Sequence, residues 1–139
     1  MKLSVRSDYA ARALLSLARA FPAGHAKKVE ELAEEQAVPA NYLIQILIDL
    51  KAKGLVRSQR GKDGGYFLAR PPVEIRFGDV LRAVHGQVFD SPALGDPQCP
   101  AELRAVWNTL KEQLERSADG ITFQDLLEQG AEKGKMYYI

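Results

Sequence analysis

Apolar positions in the first twenty residues recur every three or four places. Tyr9, Ala13, Leu14, Leu17 and Phe21 line one side, which predicts a helix over 5–20. Ser4 or Ser7 can cap its start, Asp8 suits the positive end of its dipole, and the stretch Phe21 to Gly24, with a proline, stops it. A short helix is expected over 29–36, with Glu30 and Glu31 in its first turn and a break at Pro39. The run 41–53 has the strongest pattern: Leu43, Ile46, Leu47 and Leu50 share one face, Gly54 ends the helix, and Lys51 and Lys53 stand at its negative end. The period then changes from helical to alternating. Residues 55–59 and 66–70 read as two short strands, joined by a turn over 60–65. After Pro71 and Pro72 a helix is expected over 75–86, and then a loop over 86–100 with three prolines and two glycines. A long amphipathic helix follows over 101–118. A short helix closes the chain, with Thr122 as its N-cap and Asp125 three residues on.

The pair 29–36 and 41–53 has the spacing of a helix-turn-helix. Leu32, Val38, Leu43 and Ile46 fall where such a pair buries side chains, and Ala33 falls at the helix crossing. Ala37 stands where many such turns carry glycine. The opposite face of the second helix carries Asn41, Gln45 and Ile48, with Asp49 to one side. Asn and Gln amides can pair with adenine, and an exposed Ile can touch a thymine methyl. Helix pairs of this kind also occur without nucleic acid, and there Asn41 and Gln45 would simply be solvated.

The hairpin separates these readings. A hairpin directly after a helix-turn-helix makes a winged helix. Lys51, Lys53, Arg57, Arg60 and Lys62 fall between residues 51 and 62 with no acid among them, a distribution suited to DNA phosphates. Arg60, at the tip, can enter a minor groove. Gly61, Gly64 and Gly65 permit positive φ and remove Cβ bulk, so the tip can turn tightly and come close to a sugar–phosphate wall. A nucleotide-binding phosphate loop would need its glycines between a strand and a helix, with a Gly-Lys-Ser or Gly-Lys-Thr run, and neither is present.

Composition adds to this picture. The 139 residues are about those of one domain, and 46% of them are hydrophobic, enough for a core. The net charge of +1 hides a segregation. Residues 1–70 carry twelve basic and seven acidic side chains, a net of +5, and residues 71–139 carry a net of −4. A basic first half suits a polyanion. A polar N-terminus, no long apolar run and a single cysteine lead us to expect a soluble cytoplasmic protein with no membrane partner. Cys99 with His85 or His25 is the one cysteine–histidine combination available to a nucleophilic enzyme, and no flanking motif supports it, so no enzyme is expected.

Nearly the whole chain resembles the Rrf-two family of bacterial winged-helix transcription regulators. The resemblance is carried by the segments 1–18, 29–70, 75–86 and 121–127. Its most specific part is the series Tyr42, Leu43, Leu47, Leu50, Gly54, Leu55, Val56, Ser58, Arg60, Gly61, Gly64, Gly65, Tyr66, Leu68. The family includes an iron–sulphur-cluster regulator, a nitric-oxide-sensing repressor and a cysteine-metabolism repressor. The resemblance implies a mainly α (α+β) fold: a winged helix-turn-helix over 1–85, an effector loop over 86–100, and a dimerisation helix with a C-terminal helix over 101–139. It implies a homodimeric repressor on a near-palindromic operator in double-stranded DNA. Leu103, Val106, Leu110 and Leu114 would form the dimer seam, with Trp107 beside it. Asn41, Tyr42 and Gln45, together with Arg60 and Gly61, would contact DNA, supported by Lys51, Arg57 and Lys62. The iron–sulphur regulator has a glutamate where this chain has Ile44, so the preferred site should differ.

The family's cluster-binding members carry three cysteines in the loop before the dimerisation helix, where this chain has Cys99 alone. Asp8 and Glu102 occupy positions at which relatives supply other ligands. No cofactor is expected, and an iron–sulphur cluster on Cys99, Asp8 and Glu102 is the alternative. Cys99 could otherwise serve as a redox-sensing thiol or be inert. A small molecule or a partner protein could equally supply the signal. A winged helix used only for protein contacts, without specific DNA binding, is the remaining alternative.

Overall fold

The computed structural model describes residues 3–137, and side-chain surroundings for residues 3–131. Among the described residues six α-helices run in chain order: α1 (Val5–Ala20), α2 (Val29–Gln36), α3 (Ala40–Ala52), α4 (Phe77–His85), α5 (Ala101–Asp119) and α6 (Phe123–Tyr137). Two strands, β1 (Val56–Gln59) and β2 (Gly65–Leu68), lie between α3 and α4.

Helix α1 is the spine of the fold. Ser4 caps it, its hydroxyl accepting from the Ser7 N–H at 3.2 Å. Ala10, Ala13, Leu14, Leu17 and Ala18 are fully buried beneath α2, α3, α4 and α6. The small alanines let the neighbouring helices come close, and the leucines fill the spaces between them. Leu32, Val38, Leu43, Ile46, Leu47 and Leu50 complete the same core. Each buried Leu or Ile contributes roughly 1.5–3 kcal/mol.

The turn between α2 and α3 has an unusual conformation. Ala37 sits at φ 54°, ψ 46°, the left-handed region that most such turns fill with glycine. A non-glycine residue there carries strain, and the Val38 N–H to Ala33 carbonyl bond, at 3.0 Å, helps to hold it.

Helix α4 begins at Phe77, two residues after the expected start at 75. Ile75 is extended and fully buried, its carbonyl accepts from the Phe123 N–H at 3.0 Å, and Arg76 pairs with Thr122 as a β-bridge. Phe123 stacks on Phe77 with ring centroids 5.4 Å apart. The core therefore extends past residue 85 to include the start of α6, which packs on α1. Thr122 and Asp125 cap that start reciprocally, at 3.1 and 2.9 Å. Helix α6 spans fifteen residues, longer than the short helix expected.

Two polar links tie distant elements together. His85 Nε2 lies 2.6 Å from the Ser7 hydroxyl and 3.0 Å from that of Ser4, joining the end of α4 to the start of α1. Arg82 donates two bonds to the Asp119 carboxylate, at 2.9 and 2.8 Å, joining α4 to the end of α5. That pair holds Asp119 below the usual carboxylate range, the Arg82 bond being the main cause. A Cβ at Gly78 would lie 1.9 Å from Asp119 Oδ1, so a larger residue there would push the carboxylate aside.

Candidate nucleic-acid interface

Helix α3 buries Leu43, Ile46, Leu47 and Leu50 and turns the rest of its surface outward. Three of its exposed side chains are large and apolar: Tyr42, Ile44 and Ile48 are each about half exposed or more. Asn41 and Gln45 are exposed beside them.

Both edges of this face are braced. On one edge, the Tyr42 ring meets Tyr9 of α1 edge-on, with centroids 6.2 Å apart, and Asp49 pairs with Arg6 of α1. On the other edge, Lys51 Nζ donates to the Ser58 hydroxyl of β1 at 2.7 Å, which ties the helix to the wing. Between the braces lies an exposed strip of Asn41, Ile44, Gln45 and Ile48. Its side chains make one hydrogen bond to the described residues, from Gln45 Nε2 to Asp49 Oδ1 at 3.2 Å.

The wing is an antiparallel hairpin in which Val56 faces Leu68, Arg57 faces Phe67, Ser58 faces Tyr66 and Gln59 faces Gly65. Val56 and Leu68 are buried, and Tyr66 packs against the core. Alternation puts Arg57 and Phe67 on the other face of the hairpin. There the Arg57 guanidinium lies 5.3 Å from the Phe67 ring centroid, beside a hollow of about 230 Å³ also lined by Phe21 and His25. The structure thus brings Lys51 to the recognition-helix side of the wing and Arg57 to the far side. Arg60, Gly61 and Lys62 are exposed at the tip.

The three tip glycines have separate roles. Gly61 has φ 108° and open space around it. Gly64 is not in the positive-φ region, and a Cβ there would strike the Gln59 carbonyl at 2.2 Å. Gly65 has φ 144°, and its Cβ would meet the Lys27 carbonyl at 2.5 Å. Gly64 and Gly65 therefore serve close approaches within the protein, and only Gly61 leaves room for an outside surface.

Lys27, which no sequence motif singles out, supports the wing from behind. Its N–H and carbonyl pair with Tyr66, at 3.0 and 2.8 Å, and add a bridge to the hairpin. Its ammonium pairs with Glu35 of α2, which also accepts from Ser16 of α1. These bonds hold the Glu35 carboxyl below the usual range, the Lys27 bond contributing most. Gly65, the first residue of β2, was the available signal, because a glycine in a strand marks a backbone close by.

Helix α5 contrasts with this region, since none of its described side chains is buried. Leu103, Val106 and Leu110 are exposed, and Trp107 and Leu114 are half-buried. An open hollow of about 550 Å³ lies along it, lined by Phe89, Trp107, Leu110 and Leu114.

Residues 3–129 match the Rrf2 family, described as iron-dependent transcriptional regulators. The chain belongs to the Rrf2 family. It is similar to the solved IscR of T. potens, with TM-score 0.78 and 34% identity over 99% of this chain and 97% of that one. It is also similar to the solved CymR (YrzC), the global cysteine regulator of B. subtilis, with TM-score 0.81 and 26% identity over 93% and 98%. The HTH-type transcriptional regulator IscR of Aliivibrio salmonicida is 32% identical, over 91% of this chain and 77% of that one. The protein is therefore a DNA-binding helix-turn-helix transcriptional regulator and not an enzyme. Among the described residues, no helix is long and apolar enough to cross a membrane.

The iron dependence named for the Rrf2 family can be tested against the donor set here. Asp8 pairs with Arg12 at 2.9 Å. Cys99 is half-buried, with its Sγ 3.6 Å from the Pro100 carbonyl, and Glu102 is exposed in the first turn of α5. Among the described residues, no three His, Cys, Asp or Glu side chains stand together as a metal site. The described residues of one chain bring together no donor set that fits a cluster.

Proposed function

We propose that this Rrf2 regulator is a homodimeric repressor that reads a near-palindromic operator. The uncovered apolar stripe of α5 carries the proposal. A nineteen-residue helix with no fully buried side chain among the described residues has its natural cover in the same stripe of a second copy. In that dimer Leu103, Val106, Leu110 and Leu114 meet across the two-fold axis, with Trp107 beside them. The two recognition helices then enter successive major grooves, about one DNA turn apart.

In each half-site Asn41, Tyr42 and Gln45 face base edges. Lys51, braced on Ser58, and Lys62 neutralise phosphates. Arg60 enters the minor groove and Gly61 lets the tip approach it. Arg57, stacked on Phe67, adds positive charge on the outer face of the wing. Occlusion of a promoter by the bound dimer is the repressive step.

A gel shift over a salt series tests this reading. Binding to an operator selected from random duplexes should weaken steeply as salt rises. A protein that prefers no sequence at any salt concentration would refute it.

A further inference from the structure

The strip of α3 left between its braces has a definite chemistry. Ile44 and Ile48 lie one turn apart, about half exposed, on the same outward face as Asn41 and Gln45. An exposed Ile pair is costly in water, and basic side chains flank it at Lys51 and at the wing tip. A surface framed by positive charge faces a polyanion, and the apolar groups in a major groove are the C5-methyls of thymine.

Gln45 is constrained as well. A carboxylate only accepts hydrogen bonds, so its bond to Asp49 fixes the amide with nitrogen toward Asp49 and oxygen away from it. Arg6 of α1 holds Asp49 in place and offsets a negative charge that would repel phosphates. The amide oxygen and its second N–H have no partner among the described residues. That acceptor–donor pair matches N6 and N7 of adenine, and guanine, with two acceptors, does not match it.

Resting on the DNA-reading role above, we propose that Ile44 and Ile48 are thymine-methyl readers and that the Arg6–Asp49 pair presets Gln45 for adenine. The half-site is then A·T-rich beneath the centre of α3. Arg6 and Asp49 act as positioning residues and touch no base.

The experiment uses the full chain and the duplex it enriches from a random library. Replacing individual thymines of that duplex by deoxyuridine removes only the methyl group. Affinity should fall about 3- to 10-fold at each contacted thymine. Ile48→Ala and Ile44→Ala should bind the thymine and uracil duplexes equally at the affected position. Asp49→Asn should bind overall within a few-fold of the parent but lose the adenine preference at one position, because its amide no longer dictates which way Gln45 points. Circular dichroism on each variant checks that the fold is kept. Indifference of the parent protein to uracil at every thymine would overturn the methyl readers. An unchanged adenine preference in Asp49→Asn would overturn the preset amide. A change in oligomer size in Ile44→Ala or Ile48→Ala, with DNA preference unaltered, would assign these residues to a protein contact instead. If no sequence is enriched at all, the DNA-reading role fails along with this inference; if a sequence is enriched and uracil is tolerated, only the inference fails.

Discussion

Helices α3 and α5 are both amphipathic, and they treat their apolar faces in opposite ways. In α3 the leucines are buried by the chain itself, and the residues left outside are braced by α1 and the wing. In α5 the leucines and valine are left without full cover, and polar bonds hold both ends of the helix, where Arg82 grips Asp119 and Arg104 donates to the Cys99 carbonyl at 3.1 Å. In the proposed dimer, the difference separates an element that completes the fold from one that a second copy covers. In the sequence both helices show the same three-to-four-residue spacing of apolar side chains, which says that a face must be covered and not by which chain.

Substitutions can break this contrast, beginning with the largest effect. Leu47→Ala in α3 should lower fold stability by about 2–5 kcal/mol, read by chemical denaturation, because it opens a cavity in a closed core. Leu110→Asp in α5 should leave the far-ultraviolet spectrum unchanged while abolishing the dimer and weakening operator binding more than about 100-fold, since an unpaired charge cannot be buried at an apolar interface. Gly65→Ala should cost roughly 1–3 kcal/mol, because a Cβ meets the Lys27 carbonyl on a backbone at φ 144°. Its melting temperature should fall and the wing should lose protection in hydrogen exchange.

Smaller effects sharpen the same contrast. Arg60→Ala should weaken operator binding about tenfold and lower the salt slope by about one, without altering the dimer. Asp119→Asn should destabilise by less than about 1 kcal/mol, because the Arg82–Asp119 pair is partly exposed and screened. Its sign follows from the depressed carboxyl. The pair stabilises above the usual carboxylate range, and its contribution disappears as pH falls from about 4 downward. The melting difference between parent and variant should therefore close in acid.

The helix-turn-helix and the wing were legible because their patterns are local. Leu32, Val38, Leu43 and Ile46 fell at the buried positions their spacing required. Other features depend on partners distant in sequence. Helix α4 starts at Phe77 because Ile75 is taken up by Phe123, forty-eight residues on. Ala37 adopts a left-handed backbone that propensity assigns to glycine, since the packing of α2 on α3 overrides it. The basic residues of the hairpin were visible as a cluster, but strand alternation and Phe67 send Arg57 to the far face. The Arg6–Asp49–Gln45 chain joins two helices through an acid that looked incidental beside the amides of α3.

Sedimentation equilibrium of the parent protein beside Leu110→Asp tests the central claim most directly. The account predicts a parent mass of twice the 15.4 kDa chain, and a folded variant of single mass that no longer binds the operator. A parent protein that sediments as one chain and still binds its operator with full affinity would contradict it.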